Sequence, residues 1–356
     1  MGKNIAELPF LKNLGLMLTY RCPVACPHCI VEAGPARTEE FALDQALSLI
    51  AKAEKYRNHH IRGLAFTGGE PFLDRSKLEI LANYGREHGF IISVVSNAFW
   101  ASTKEKAFEI LTSLPAVGAI SFSTDRHHLK SIPFGHIKNA VWAAQELDLP
   151  FNVALCTDNE EDSEFTDLLA EVANFVPKDG IRVAFVFPLG RGRAMRGLRH
   201  KISPKPSKAA CSMASSPVVF PDGSVIACIG PVLTLPKNHP LYLGNIFQED
   251  LAVILDRAEE NPVLHAIRAI GPWSLLEWGK DFDFSFNNTD NFIENCACDV
   301  CFKIFSHLPN LDKLKDLAIK PEFQERVAYA RAYYLNETCM VKSLKMNRES
   351  SFMAFL

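Results

Sequence analysis

The sequence predicts an α/β fold: six parallel strands joined by helices, as a partial (β/α)6 barrel or an open doubly wound sheet, with a small cysteine-rich C-terminal appendage. Three observations predict it. Short apolar runs alternate with longer amphipathic runs six times between residues 14 and 188. The apolar runs are nearly continuous, as in strands covered on both faces, and the long crossovers between them imply parallel pairing. Beyond Pro188 this rhythm stops and cysteines become frequent.

Each element has its own signal. LGLMLT, ending at Thr19, is the first strand. EEFALDQALSLIAKAEKY (39–56) is a helix, with Phe41, Ala42, Ala46, Leu47, Leu49 and Ile50 on one side. IRGLAFTGG (61–69) is the second strand, and RSKLEILANYGREHG is a helix ending at Gly89. FIISVVSNA (90–98) is the third strand. STKEKAFEILTSL (102–114) is a helix capped by Ser102 or Thr103. VGAISFSTD, FNVALCT and IRVAFVFP are three further strands, separated by the helices FGHIKNAVWAAQELD and EDSEFTDLLAEVANF. VVFPDGSVIAC is a hairpin turning at Pro221-Asp222-Gly223. Trp273 to Phe292 lacks clean periodicity, and Pro272 and Gly279 break any long helix there. It is expected to be a lid near the site or a packing excursion. EFQERVAYARAYYLNETCMVKSLKM reads as an amphipathic docking helix.

Composition narrows the class. With 356 residues and 48% hydrophobic content, the chain has ample material for a large core. A net charge of −3 gives no global attraction to nucleic acid or anionic lipid. No apolar run approaches a membrane span, and the N-terminus carries no cleavage signal. The expectation is a cytoplasmic protein. In a reducing compartment its ten cysteines are not a disulfide framework. They cluster as Cys22, Cys26, Cys29, then Cys211 and Cys228, then Cys296, Cys298 and Cys301, which reads as metal ligation. Cys156 and Cys339 stand alone and read as small buried hydrophobes.

Polar residues gather where the strands end. The cysteine loop follows strand one, Thr67-Gly68-Gly69-Glu70-Pro71 strand two, and Ser96-Asn97 strand three. Ser123-Thr124-Asp125, with His127 and His128, follows strand four, and Gly190-Arg191-Gly192-Arg193 follows strand six. Any one could be ordinary turn chemistry. Five on one sheet edge point to a shared site, since both candidate folds place chemistry at the C-terminal ends of strands.

Cys22-x3-Cys26-x2-Cys29 supplies three thiolates, one short of a closed zinc site. His28 is a ligand by type but competes with adjacent Cys29. An iron–sulfur cube with one open iron suits three thiolates better.

Together with Gly68-Gly69-Glu70-Pro71 one strand–helix unit later, this loop resembles the radical S-adenosylmethionine superfamily over residues 14–195. The resemblance implies a six-strand partial barrel with a 4Fe–4S cluster on Cys22, Cys26 and Cys29, its fourth iron chelated by S-adenosylmethionine. It implies that Gly68, Gly69, Glu70 and Pro71 form the turn that accepts the methionine amino group. It implies further cosubstrate contacts from Asn97, Ser123, Asp125 and Arg191, with His28 near the adenine. The implied chemistry is reductive cleavage to a 5′-deoxyadenosyl radical that abstracts hydrogen from substrate.

The segment Cys211-x11-Gly223-x4-Cys228 resembles the SPASM/Twitch extensions of that superfamily. It implies one auxiliary cluster on Cys211, Cys228, Cys298 and Cys301, with Cys296 as alternative ligand or free thiol. Fewer downstream cysteines are present than a full two-cluster SPASM domain uses. Structural zinc on the same four is the alternative. Cys296 or Cys339 could donate hydrogen to a substrate radical. The expected divisions are 1–195 for the barrel, 196–310 for the auxiliary domain and 311–356 for a helical tail. Residues 191–208 hold seven Lys/Arg, and no acid occurs between Gly180 and Pro221, which marks either a linker or a surface that steers an anionic substrate.

The expected substrate is a ribosomally made peptide that is crosslinked, epimerised or oxidised. A small-molecule dehydrogenase acting on an aminosugar or cyclitol is the second reading, and a non-catalytic iron–sulfur or zinc scaffold the third. Expected partners are a flavodoxin or ferredoxin reductant and, because only about a dozen residues precede strand one, a separate leader-peptide-binding protein.

Overall fold

The computed structural model describes residues 10–281 and 291–340. Six strands and the five helices between them come first: β1 (Asn13–Thr19), α1 (Leu43–Lys55), β2 (Gly63–Gly68), α2 (Arg75–Glu87), β3 (Ile91–Ser96), α3 (Lys104–Thr112), β4 (Val117–Ser123), α4 (Phe134–Glu146), β5 (Phe151–Thr157), α5 (Ser163–Ala173) and β6 (Ile181–Phe185). The strands pair in parallel in chain order, giving the partial (β/α)6 barrel. Its core is aliphatic and aromatic, with Leu14, Leu16, Phe66, Val94, Phe122 and Leu155 fully buried. Burial of such side chains contributes about 1.5–3 kcal/mol each.

Local chemistry sets the boundaries. Helix α1 begins later than the pattern suggests because residues 39–41 are committed elsewhere. Glu39 C=O accepts from Tyr20 N–H at 2.8 Å, and Phe41 N–H donates to Leu18 C=O at 3.0 Å. Thr103, not Ser102, caps α3, its hydroxyl accepting from Lys106 N–H at 3.2 Å. Asp162 caps α5 in the same way.

The sheet continues past β1. After β7 (Ile202–Ser203), the expected hairpin is formed by β8 (Val218–Val219) and β9 (Ser224–Ile226), with Gly223 at φ +80° in its turn. β8 pairs in parallel with β1, and β10 (Tyr242–Asn245) closes the far side against β9. One nine-stranded sheet results, ordered β10-β9-β8-β1-β2-β3-β4-β5-β6. Segments expected on either side of residue 195 therefore share a sheet.

Helices α6 (Leu251–Glu259), α7 (Pro262–Ala269) and α8 (Trp273–Lys280) follow, then β11 (Phe292–Ile293), which pairs with β7. Helices α9 (Ala297–Ser306), α10 (Leu308–Ala318) and α11 (Pro321–Tyr334) complete the described chain. The first eight residues of the Trp273–Phe292 stretch are helical, a difference from expectation. Pro272 stands just before the helix, where proline is tolerated, and Leu275 and Leu276 bury against the core. Residues 282–290 of that stretch, and 341–346 of the expected tail helix, lie outside the described residues. No helix among the described residues is long and apolar enough to cross a membrane.

Candidate active site

The end of β1 runs into the cysteine loop, which is pinned at several points. Cys22 N–H donates to Gly34 C=O at 3.2 Å, and Gly34 N–H to Tyr20 C=O at 3.1 Å. Cys29 N–H donates to Cys26 C=O at 3.2 Å, turning the chain between the two thiols. The strongest brace comes from the end of β6. Arg191 donates through Nη1 to Cys26 C=O at 2.8 Å and through Nη2 to Ala33 C=O at 2.6 Å, while its backbone N–H reaches Cys29 C=O at 3.1 Å. Gly190 makes this approach possible: at φ +56°, an added Cβ would lie 2.5 Å from Ile30 C=O.

The Gly68-Gly69-Glu70-Pro71 turn packs beneath this loop. A Cβ on Gly69 would lie 2.1 Å from Arg21 C=O, and one on Gly68 2.5 Å from Thr19 C=O. Gly69 N–H donates to Thr19 C=O at 2.6 Å and Glu70 N–H to Arg21 C=O at 2.9 Å. The glycines are thus demanded first by backbone meeting backbone, and Gly68 and Gly69 also line the cavity.

Two residues of this turn are buried. Glu70 is fully buried and faces inward. Its Oε1 accepts from Phe72 N–H at 3.1 Å and Ser96 Oγ–H at 2.9 Å, and its Oε2 from Asn97 N–H at 2.7 Å. Burial pushes this carboxyl up to about 7. It ties the ends of β2 and β3 together and does not border the cavity. Pro71 is likewise buried, starting a 3-10 turn. Arg191 also acts on the loop backbone and is absent from the cavity wall.

The cavity has a volume of about 570 Å³. Cys22, Cys26 and Cys29 border it, with His28, Asn97 and Ser123. Asn97 Nδ2 donates to Cys22 Sγ at 3.5 Å, and burial pushes the Cys22 thiol up to about 12. Asp125 is buried behind this wall. Its Oδ2 meets His128 Nδ1 at 2.7 Å and His28 Nε2 at 3.3 Å, and its Oδ1 accepts from the backbone N–H of His127 and His128. Burial alone would raise this carboxyl, but the hydrogen bonds from His128 and then His28 hold it well below the ordinary range. The pair orients His28 and His128, both of which do face the cavity.

The later cysteines converge as well. Cys211 precedes a 3-10 turn at Ser212–Ser215, Cys228 follows β9, and Cys298 and Cys301 lie one turn apart on α9. All four border one void of about 20 Å³. Cys296, just before α9, packs with Phe187 and Ile293. Cys211, Cys228, Cys296 and Cys298 also border the cavity that Cys22, Cys26 and Cys29 line. Cys339 is elsewhere, a correction to its candidacy as hydrogen donor. Its thiol approaches Glu337 C=O at 3.9 Å, and Glu337 borders a cavity at the N-terminal ends of β1–β3, with Asn13, Gly63 and Ile91.

Sequence reasoning missed two residues of the wall. Cys156, read as packing, lies at the C-terminal end of β5 and borders the cavity. Its place at a strand end, on the edge where the other polar residues gather, was the available signal. His128 was seen only as polar punctuation.

Three thiols on a braced loop, a side-chain amide donating to one sulfur, and His28 Nε2 already engaged by Asp125 fit a three-thiolate cluster with an open position. The four-thiol group fits a closed cluster or a structural metal.

The chain is similar to several known proteins. The "Radical SAM superfamily" family matches residues 16–172. The chain is 23% identical over 312 residues to the "Putative peptide biosynthesis protein YydG" of Bacillus subtilis, covering 83% of this chain and 92% of that protein. It is 29% identical over 182 residues to the "PqqA peptide cyclase" of Rhodopseudomonas palustris, covering 48% of this chain and 46% of that protein. The chain thus spans about half the length of the cyclase. Among solved structures, BtrN in complex with AdoMet and 2-DOIA aligns over 72% of this chain and 85% of that one, with a TM-score of 0.38 and 15% identity. Methylornithine synthase aligns over 51% and 55%, with a TM-score of 0.38 and 13% identity.

Proposed function

We propose that the chain, which matches the radical SAM superfamily over residues 16–172, is a radical S-adenosylmethionine enzyme that modifies a ribosomally made peptide. The observation that carries the reading is one cavity lined both by Cys22, Cys26 and Cys29 and by Cys211, Cys228, Cys296 and Cys298. A substrate held there meets both groups of thiols. The peptide as substrate class is supported by the likeness to YydG, which covers most of both chains.

In this reading Cys22, Cys26 and Cys29 hold the S-adenosylmethionine-binding 4Fe–4S cluster. Cys211, Cys228, Cys298 and Cys301 hold the auxiliary one. When bound, the cluster and S-adenosylmethionine supply an electron and a 5′-deoxyadenosyl radical that removes a hydrogen atom from substrate. Arg191 keeps the loop thiols in register through its two carbonyl contacts. Asn97 steadies Cys22. Gly68 and Gly69 leave room and backbone groups for the cosubstrate's amino acid end. His28, oriented by Asp125, flanks the adenine. The apolar wall of Val183, Phe185, Val186 and Phe187 excludes water, protecting a reactive intermediate. Cys296, facing the same cavity, is placed to give a hydrogen atom back to a carbon radical from its thiol. A flavodoxin or ferredoxin supplies the electron.

The test is anaerobic reconstitution with iron, sulfide, S-adenosylmethionine and a reductant, with a short peptide encoded beside the gene as substrate. The expected result is release of 5′-deoxyadenosine together with a changed peptide, read by mass shift or, for epimerisation, by deuterium uptake from solvent. Deoxyadenosine release with no peptide change under any condition would refute the peptide as substrate. No release at all would refute the enzyme.

A further inference from the structure

We propose that the outer edge of β6 binds an extended, acidic segment of the substrate peptide as an added strand, leading it into the cavity beside Cys296. This rests on the peptide-modifying reading above.

The sheet ends at β6, which pairs only with β5 among the described residues. The phase of its backbone is fixed by Val186, whose N–H donates to Thr157 C=O at 2.8 Å. Backbone groups alternate along a strand, so Ala184 and Arg182 also face β5, while Val183 and Phe185 turn N–H and C=O outward. No strand among the described residues meets them. Val183 is 40% exposed, and Ala184 is exposed beside it.

Open edges of this kind are templates for pairing, and proteins normally blunt them with proline, lysine or a bulge. β6 contains no proline or lysine, and its register with β5 runs without a shift. The edge also leads somewhere. Val183 through Phe187 border the cavity, and Phe185 and Phe187 pack around Cys296 with Ile293. A peptide strand hydrogen-bonded to Val183 and Phe185 would deliver its next residues to that wall.

Charge selects the occupant. Beyond the strand's C-terminal end, Arg193 and Arg196 are exposed and pair with no carboxylate among the described residues. Their neighbours Arg199 and Lys201 are already matched, to Asp162 and to Glu161 and Glu294. At the other end, Arg182 shares a surface groove with Asp148 and Asp179. Arg193 and Arg196 thus carry positive charge unmatched among the described residues in the segment that follows the strand, which acidic residues of the peptide would complement. Main-chain pairing gives affinity in this mode, and alternate side chains give specificity.

The experiment uses the reconstituted full chain and two fluorescent peptides of about ten residues, long enough to cover one strand. One alternates glutamate with valine, the other lysine with valine. The acidic peptide is expected to bind, and the basic one at least tenfold more weakly. Val183→Pro removes an outward N–H and leaves the β5 ladder intact, and it is expected to weaken the acidic peptide at least tenfold, with Val183→Thr near the parent. N-methylation of alternate residues in the acidic peptide should do the same against the unaltered enzyme, which guards against a folding defect in V183P. Failure of the acidic peptide to bind, equal binding of both peptides, or indifference to both backbone blocks would overturn the proposal. A dimer dissolved by V183P would also overturn it, by giving the edge to a second copy. These outcomes leave the peptide-modifying reading standing, because that reading fails on mass shift and deuterium uptake with the parent enzyme.

Discussion

Glu70 offers the sharpest quantitative test. Its carboxylate is fully buried and accepts three hydrogen bonds, from Phe72 N–H, Ser96 Oγ–H and Asn97 N–H. Glu70→Ala leaves the two backbone donors unsatisfied and opens a polar void. Each orphaned donor costs about 1–3 kcal/mol, so a loss of roughly 2–6 kcal/mol is expected. Glu70→Gln keeps the shape, but its amide cannot accept from all three donors, and a smaller loss of about 1–3 kcal/mol follows. The pH dependence has a definite sign. Burial raises this acid from its ordinary 4.5 to about 7, so the folded state binds the proton more tightly than the unfolded one. The contribution is fully present below pH 4.5 and is lost as pH rises through 7, for a total of about 3 kcal/mol. The assay is urea unfolding of the cluster-free protein at several pH values, parent against E70Q. The difference between the two should shrink as pH rises across that window. A pH-independent difference, or E70A within about 0.5 kcal/mol of the parent, would refute the reasoning.

Other substitutions test the remaining supports. Arg191→Lys cannot span Cys26 C=O and Ala33 C=O together, and losing one charge-assisted bond of about 1.5–3 kcal/mol should speed iron loss from the reconstituted protein. Iron release to a chelator at unchanged global stability is the readout. Gly69→Ala drives a Cβ into Arg21 C=O and should abolish soluble protein, whereas Gly89→Ala, at φ +82° with nothing nearby, should cost only about 1 kcal/mol by thermal unfolding. Replacing Cys211, Cys228, Cys298 and Cys301 with alanine should lower iron from about eight to about four per chain, while Cys296→Ala leaves the count unchanged.

The sequence carried the strand–helix order well because each strand from β1 to β6 is a mostly apolar run and each before β6 is followed by a helical period. It also carried the cysteine groups, since spacing alone brings thiols together within a short loop or one helical turn. What it could not carry was direction. Nothing in Gly68-Gly69-Glu70-Pro71 distinguishes a carboxylate aimed at a ligand from one turned inward onto Ser96 and Asn97. The same holds for Arg191 and Asp125, because a polar side chain at a strand end can face a cavity or brace what does. Cys339 was misplaced because its position depends on where α11 docks, which local pattern does not encode. Cys156 was undervalued because a cysteine inside an apolar strand looks like packing until the neighbouring strand brings Asp125 beside it.

The two cysteine groups owe their relation to a single strand. β1 delivers Cys22, Cys26 and Cys29 directly at its C-terminal end. Through its pairing with β8 it also fixes the hairpin whose flanks carry Cys211 and Cys228. Gly15 makes that pairing close, since a Cβ there would sit 2.8 Å from Val218 Cγ2. Cys298 and Cys301 then complete the second group from α9, which packs on the turn after Cys228. A site assembled from two independently moving parts would let the distance between the groups drift. Here both hang from one hydrogen-bonded ladder, so the cavity between them keeps its width, and a substrate entering it meets both groups at fixed positions.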